Sequence, residues 1–153
     1  MYKPIDYNLL NQNNACTPQM DLVKKHFGLK PIPLTKAVVS KLSYLFDIDW
    51  IAKKLLSEKD FRKYKKVMKP ALKKYMKADD KAMSEHESVT NLAWKKYEKV
   101  VKLHGNSNRS LKKYEKDHQQ AYVDYYTKYK LASAEYRKVI ALEFIEIYKK
   151  GMA

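Results

Sequence analysis

Arg62, Lys63, Lys65, Lys66, Lys69, Lys73, Lys74 and Lys77 stand between Phe61 and Lys77 with no acidic residue among them. As a helix this run is about 24 Å long, and eight like charges over that length repel one another unless counterions or an acidic partner intervene. A phosphate backbone or a carboxylate-rich protein face supplies that relief. These eight side chains are the candidate polyanion-binding residues. The plainer reading of the same run is a solvated lysine-rich face.

A tyrosine follows a basic pair four times, in Arg62-Lys63-Tyr64, Lys73-Lys74-Tyr75, Lys95-Lys96-Tyr97 and Lys112-Lys113-Tyr114. Tyr64, Tyr75 and Tyr97 are separated by multiples of eleven, and eleven residues make close to three helical turns. The three rings therefore share one helix face, where they are candidates for stacking on bases while the lysines hold phosphates. On an apolar stripe the same rings pack inward and send their hydroxyls to the rim.

His26, His86, His104 and His118 are the chain's proton carriers near neutral pH, and none sits in a metal-ligand or acid-base pattern. His86-Glu87 begins a His-Glu-x-x-His sequence but Val89-Thr90 fails to complete it. In an antiparallel hairpin turning near Ser107, His86 falls opposite Lys128 and His118 opposite Lys96, so no two histidines meet. Asp79 and Asp80, with Glu85 and Glu87, read as partners for neighbouring lysines, such as Glu85 with Lys81, more than as a cation site. Cys16 has no second cysteine to pair with. No nucleotide loop or activated nucleophile is present, so the expectation is no enzyme activity, no catalytic residue, no metal and no cofactor.

The charge is lopsided throughout. Lys and Arg number 32 against 17 Asp and Glu, giving a net charge of +15, yet only Arg62, Arg109 and Arg137 are arginine. Arginine reads base edges and phosphates bidentately, whereas lysine acts as a hydrated point charge, which favours attachment without sequence reading. Preference for Lys, Tyr and Asn over Arg, Gly and Pro also matches an AT-rich coding genome, as in many phages and low-GC bacteria. No opening apolar segment and no run of about 18 apolar residues occurs, so the expectation is no membrane and a cytoplasmic location, or host cytoplasm or virion if phage-encoded.

These side chains must be positioned by helices. The chain has three glycines and five prolines, and four of the prolines precede Asp47, so little after that point interrupts a helix. No period-two alternation marks a strand. Residues 1–17 are polar and asparagine-rich and read as an N-terminal arm, leaving 18–153 as a single helical domain. Thr17 caps a short helix closed by Gly28. Thr35 caps the next, with Val38, Val39, Leu42, Leu45 and Phe46 at helical spacing, and Asp47 and Asp49 break it before a further short helix from Trp50 to Leu56. A forced helix-turn-helix reading here fails, because the second helix opens on Asp49, Trp50 and Ile51 and not on polar base-reading residues.

Ser57 with Asp60 makes a weak capping box before the coiled-coil-like series Phe61, Tyr64, Met68, Ala71, Tyr75, Ala78, Ala82, Val89, Ala93, Val100 and Leu103. Pro70 should kink or divide this helix, and Gly105 should end it. After an Asn106-Ser107-Asn108 turn, Leu111, Tyr114, His118, Ala121, Tyr125, Tyr129, Ala132, Tyr136 and Ile140 form a matching series. The expected fold is all-α, a long antiparallel helical hairpin of about 61–103 and 109–150, with short N-terminal helices packed at its open end against Val139, Ile140, Leu142, Phe144, Ile145 and Ile147.

The functional expectation is a non-enzymatic basic helical binding protein whose partner is nucleic acid without sequence preference or an acidic protein surface. Two alternatives share these features: a structural or assembly subunit of a phage-like particle, homo- or hetero-oligomeric, and a host-directed inhibitor of a nucleic-acid enzyme.

Overall fold

The computed structural model describes residues 3–105 and 108–152, with the backbone alone for Lys36, Val39, Ser40 and Leu42. The described residues form six helices and no strand: α1 (Tyr7–Gln12), α2 (Thr17–Phe27), α3 (Lys36–Leu45), α4 (Ile48–Leu55), α5 (Glu58–His104) and α6 (Asn108–Met152). The two long helices pack against each other as a hairpin, with the short helices before them. The chain folds as two compact units. One comprises Met1–Leu72 with Ala134–Ala153, the other Lys73–Ser133.

In the first unit, short helices are held by local caps and a shared apolar core. Asp6 starts α1 by accepting from the Leu9 amide at 2.8 Å, and Asn13 Nδ2 donates to the Leu9 carbonyl at its end. Ile5 and Leu10 are buried, the Ile32 amide donates to the Ile5 carbonyl at 2.7 Å, and the Tyr148 hydroxyl donates to the Lys3 carbonyl at 2.6 Å. The polar segment read as an arm thus carries a helix and two core residues. A six-residue helix with one buried leucine is too short to show a period.

Cys16, not Thr17, is the N-cap of α2, and it makes no side-chain capping bond. Pro18 in the first turn starts the helix without it, since its missing N–H costs nothing there. Gly28 ends α2 at φ +65° and ψ −138°, a backbone region that only glycine adopts readily. Thr35 Oγ1 accepts from the Val38 amide and Asp47 Oδ1 from the Trp50 amide, starting α3 and α4. Of the apolar series read on α3, Phe46 is buried and Val38 and Leu45 half-buried; the Val39 and Leu42 side chains lie outside the described residues. The α4 face of Ile48, Ile51 and Ala52 meets Ile140, Ala141, Phe144, Ile145, Ile147 and Tyr148 of α6 in one core cluster. Val139 stays on the surface.

Ser57 Oγ accepts from the Asp60 amide and donates to its carboxylate, so α5 opens at Glu58, three residues ahead of the apolar series. The helix runs unbroken through Pro70, so the proline does not divide it. Gly105 closes it at φ +75°, its amide donating to Val101. Asn106 and Ser107, the expected turn, lie outside the described residues. The helix α6 continues through Gly151.

The second unit has almost no aliphatic core. Among its described residues the buried ones are Ala82, Ala93 and Ala121. Around them the half-buried positions of α5 are Tyr75, Asp79, Glu85, His86, Thr90, Tyr97, Glu98 and Val101, and those of α6 include Tyr114, Tyr125, Tyr129 and Ala132. The α5 face therefore steps by eleven residues, Tyr75 to His86 to Tyr97 and Asp79 to Thr90 to Val101, and not by heptads. Val89, Val100 and Leu103, expected inside, are 48%, 37% and 65% exposed. The three-four spacing of aliphatics places the stripe one flank away from the face that small and aromatic residues actually fill.

Candidate functional site

All eight candidate cations are exposed on α5. Arg62, Lys63, Lys65, Lys66 and Lys69 belong to the first unit, and Lys73, Lys74 and Lys77 to the second. Arg62 pairs with Glu58, and Lys63 with Asp60 at 2.7 Å. The Lys65 ammonium lies 4.6 Å from the centre of the Phe61 ring. Lys66, Lys69, Lys73 and Lys77 have neither ion pair nor hydrogen-bond partner among the described residues.

The three tyrosines read as stacking candidates point inward to different degrees. Tyr64 is 0% exposed. Its hydroxyl donates to Asp49 Oδ1, while Tyr136 donates to the second Asp49 oxygen at 3.3 Å. Burial pushes the Tyr64 hydroxyl well above the usual phenol range, and the bond to Asp49 adds to it. Burial, followed by the Asp49 charge, pushes Tyr136 up to about 12. A base reaches Tyr64 only if this packing opens. Tyr75 meets Tyr129 edge-on at 6.2 Å, and burial with the Tyr129 hydrogen bond pushes it up to about 12. Tyr97 packs against Trp94 and Tyr114 at 5.6 Å each.

Within the second unit the rings form a continuous run. Trp94 and Tyr97 meet Tyr114, then His118, His86, Tyr125 and Tyr129 follow, with neighbouring centroids 5.5 to 6.2 Å apart. The expectation that no two histidines meet is overturned here: the His86 and His118 rings are 6.0 Å apart. His86 also touches Tyr125, so it sits over the gap that buried Ala121 leaves between His118 and Tyr125. A long side chain on one helix of a pair faces such a gap and not a single opposite residue, and the pairing centres nearer His104 than Ser107. His86 Nδ1 and Thr90 Oγ1 are buried with no hydrogen-bond partner among the described residues.

Two acidic residues of this unit, Asp79 and Glu85, link the two helices. Tyr125 donates to Asp79 at 3.3 Å, and Glu85 binds Lys128 across the helices while Lys81 lies 3.9 Å away on its own helix. The Lys128 hydrogen bond holds the Glu85 carboxyl below the usual carboxylate range, and the same bond raises Lys128. Among the described residues no group of three or more His, Cys, Asp or Glu is placed to hold a metal ion, and no helix is long and apolar enough to cross a membrane. Cys16 is exposed.

The chain matches no protein-family model, no curated protein and no solved structure. Its functional reading therefore rests on its own residues.

One feature missed by sequence reasoning is where the second unit keeps its charge. Residues 92–116 hold eight Lys and Arg against Glu98 and Glu115, a net +6, whereas 73–91 and 117–133 each balance to zero. The signal was available as a charge count per segment, and the denser run before Lys77 masked it.

Proposed function

We propose that this chain is a non-enzymatic basic helical binding protein that engages a polyanion through exposed lysines of α5. The observation that carries the reading is the unpaired state of Lys66, Lys69, Lys73 and Lys77 beside Lys63 and Lys65 on one helix. Each such ammonium releases a counterion when it meets a phosphate, so binding is strong at low salt and indifferent to sequence. The scarcity of arginine supports the same conclusion, because it leaves few forks for reading base edges. The inward packing of Tyr64 favours charge attraction over base stacking as the source of affinity.

An assembly subunit is the competing account, and it leans on an N-terminal arm that orders against neighbours. Ile5 and Leu10 are buried in the chain's own core, which favours the binding reading. The test is retention of the protein on single-stranded DNA homopolymer and on polyglutamate across a salt series, for the parent and for a variant carrying Lys63→Gln, Lys66→Gln, Lys73→Gln and Lys74→Gln. Weaker, less salt-sensitive retention of the variant supports the proposal. Equal retention of both removes it.

A further inference from the structure

The second unit offers a groove that the lysines before Lys77 do not form. It has a volume of about 90 Å³ and runs between Ala93, Lys96 and Val100 of α5 and Ser110, Lys113 and Asp117 of α6, over a floor made by Tyr97 and Tyr114. Outside the groove lining, Val89, Leu92 and Leu103 of α5 are exposed, Leu92 by 55% and Leu103 by 65%. Val89, Leu92, Lys96, Val100 and Leu103 follow three-four spacing and so share one helix face. Lys95 and Lys99 border that face.

We infer that this face docks an acidic amphipathic helix of a partner protein, lying along α5 from Val89 to Leu103. Three features select that occupant. The face is elongated, roughly 20 Å for these residues at 1.5 Å each, which fits a helix laid lengthwise as the third member of a bundle. Its aliphatic residues need an apolar stripe opposite them, which a phosphate backbone does not carry. The segment that carries this face, residues 92–117 with Asp117 of the groove included, has a net charge of +5, which selects carboxylates beside that stripe and disfavours a second copy of the same cationic face. The surface is separate from the one in the proposed function, and the two fail independently.

The test uses the whole chain carrying Lys63→Gln, Lys66→Gln, Lys73→Gln and Lys74→Gln, so that the other cationic surface does not capture the anionic probes, and a synthetic peptide of about four helical turns with leucines at three-four spacing and glutamates elsewhere. Its controls are a scrambled peptide of the same composition, polyglutamate, and vesicles containing phosphatidylserine. Binding is read by fluorescence anisotropy of labelled peptide or by co-sedimentation with vesicles. The expected result is tighter binding of the amphipathic peptide than of the scrambled one by at least tenfold. Leu92→Gln with Leu103→Gln should weaken that binding at least tenfold, with helicity by circular dichroism unchanged. Leu131→Gln, another exposed leucine of the unit, should not. Equal binding of the two peptides or of polyglutamate overturns the inference, as does binding to vesicles in preference to the peptide. So does dimerisation in sedimentation velocity that the Leu92 and Leu103 changes abolish.

Discussion

Asp49 accepts a hydrogen bond from the buried hydroxyl of Tyr64, which ties the first turn of α4 to α5. The second oxygen of the same carboxylate takes Tyr136 of α6. One acidic side chain therefore ties three helices of the first unit together, and it does so with charge-assisted bonds at a half-buried position. Tyr64→Phe removes one of these bonds while keeping the ring, and should lower unfolding free energy by about 1.5 to 3 kcal/mol. Tyr64→Ala also empties the site and should cost about 3 to 5 kcal/mol. Urea titration followed by circular dichroism gives both values. A Phe variant as stable as the parent would show that the bond contributes nothing net.

The same pair sets an alkaline limit. Tyr64, Tyr75, Tyr125 and Tyr136 all have hydroxyls raised above the usual value of 10, Tyr75 and Tyr136 to about 12. A group raised in the folded state contributes stability that is fully present below pH 10 and is lost as pH climbs through the folded value. Stability should therefore be flat on this account up to about pH 10 and fall steeply above it. Phenolate absorbance should show Tyr64 and Tyr136 ionising only as the protein unfolds. Tyr64→Phe with Tyr136→Phe should flatten the alkaline fall.

How much of this is legible in the sequence divides along physical lines. Helix boundaries are readable where the stop or start is a backbone constraint, as at Gly28, Thr35, Asp47 and Gly105. The core of the first unit is readable from Ile140, Phe144, Ile145 and Ile147, because a dense aliphatic run can go nowhere else. The helix α1 is not, since its order comes from tertiary anchors such as the Tyr148 bond to Lys3. The α5 face beyond Ala82 is misassigned when hydrophobicity is equated with burial. In a hairpin of two helices the narrow seam admits alanine and flat rings, and Val89 and Leu103 are left outside. The cation run is evident from sequence alone, but which of its members find a carboxylate, as Arg62 and Lys63 do and Lys66, Lys69, Lys73 and Lys77 do not among the described residues, is not.

His86 tests the cost of the polar seam. Its Nδ1 is buried without a partner among the described residues, and an unsatisfied buried nitrogen costs about 1 to 3 kcal/mol relative to an apolar group of similar shape. His86→Leu should therefore leave thermal stability unchanged or raise it, and should leave polyanion retention intact. Loss of retention in a folded His86→Leu protein would give this histidine a functional role that the present account does not.

Pro70 should be a stability defect of α5. A proline inside a helix removes one backbone bond and crowds the preceding turn, at about 3 kcal/mol. Pro70→Ala should raise unfolding free energy by about 1 to 3 kcal/mol. A destabilised alanine variant would mean that the helix depends on the geometry the proline imposes.

The salt dependence of polyanion binding tests the central claim most directly. Affinity for single-stranded DNA homopolymer is measured at several salt concentrations for the parent and for the Lys63, Lys66, Lys73 and Lys74 glutamine variant. Glutamine keeps helix propensity and removes four charges, so helicity and stability should be preserved. For each lysine that no longer neutralises a phosphate, the slope of log affinity against log salt should fall by about 0.7, equally for every base composition. A folded variant with the parent's slope and affinity would contradict the account and leave these lysines as a solvated face.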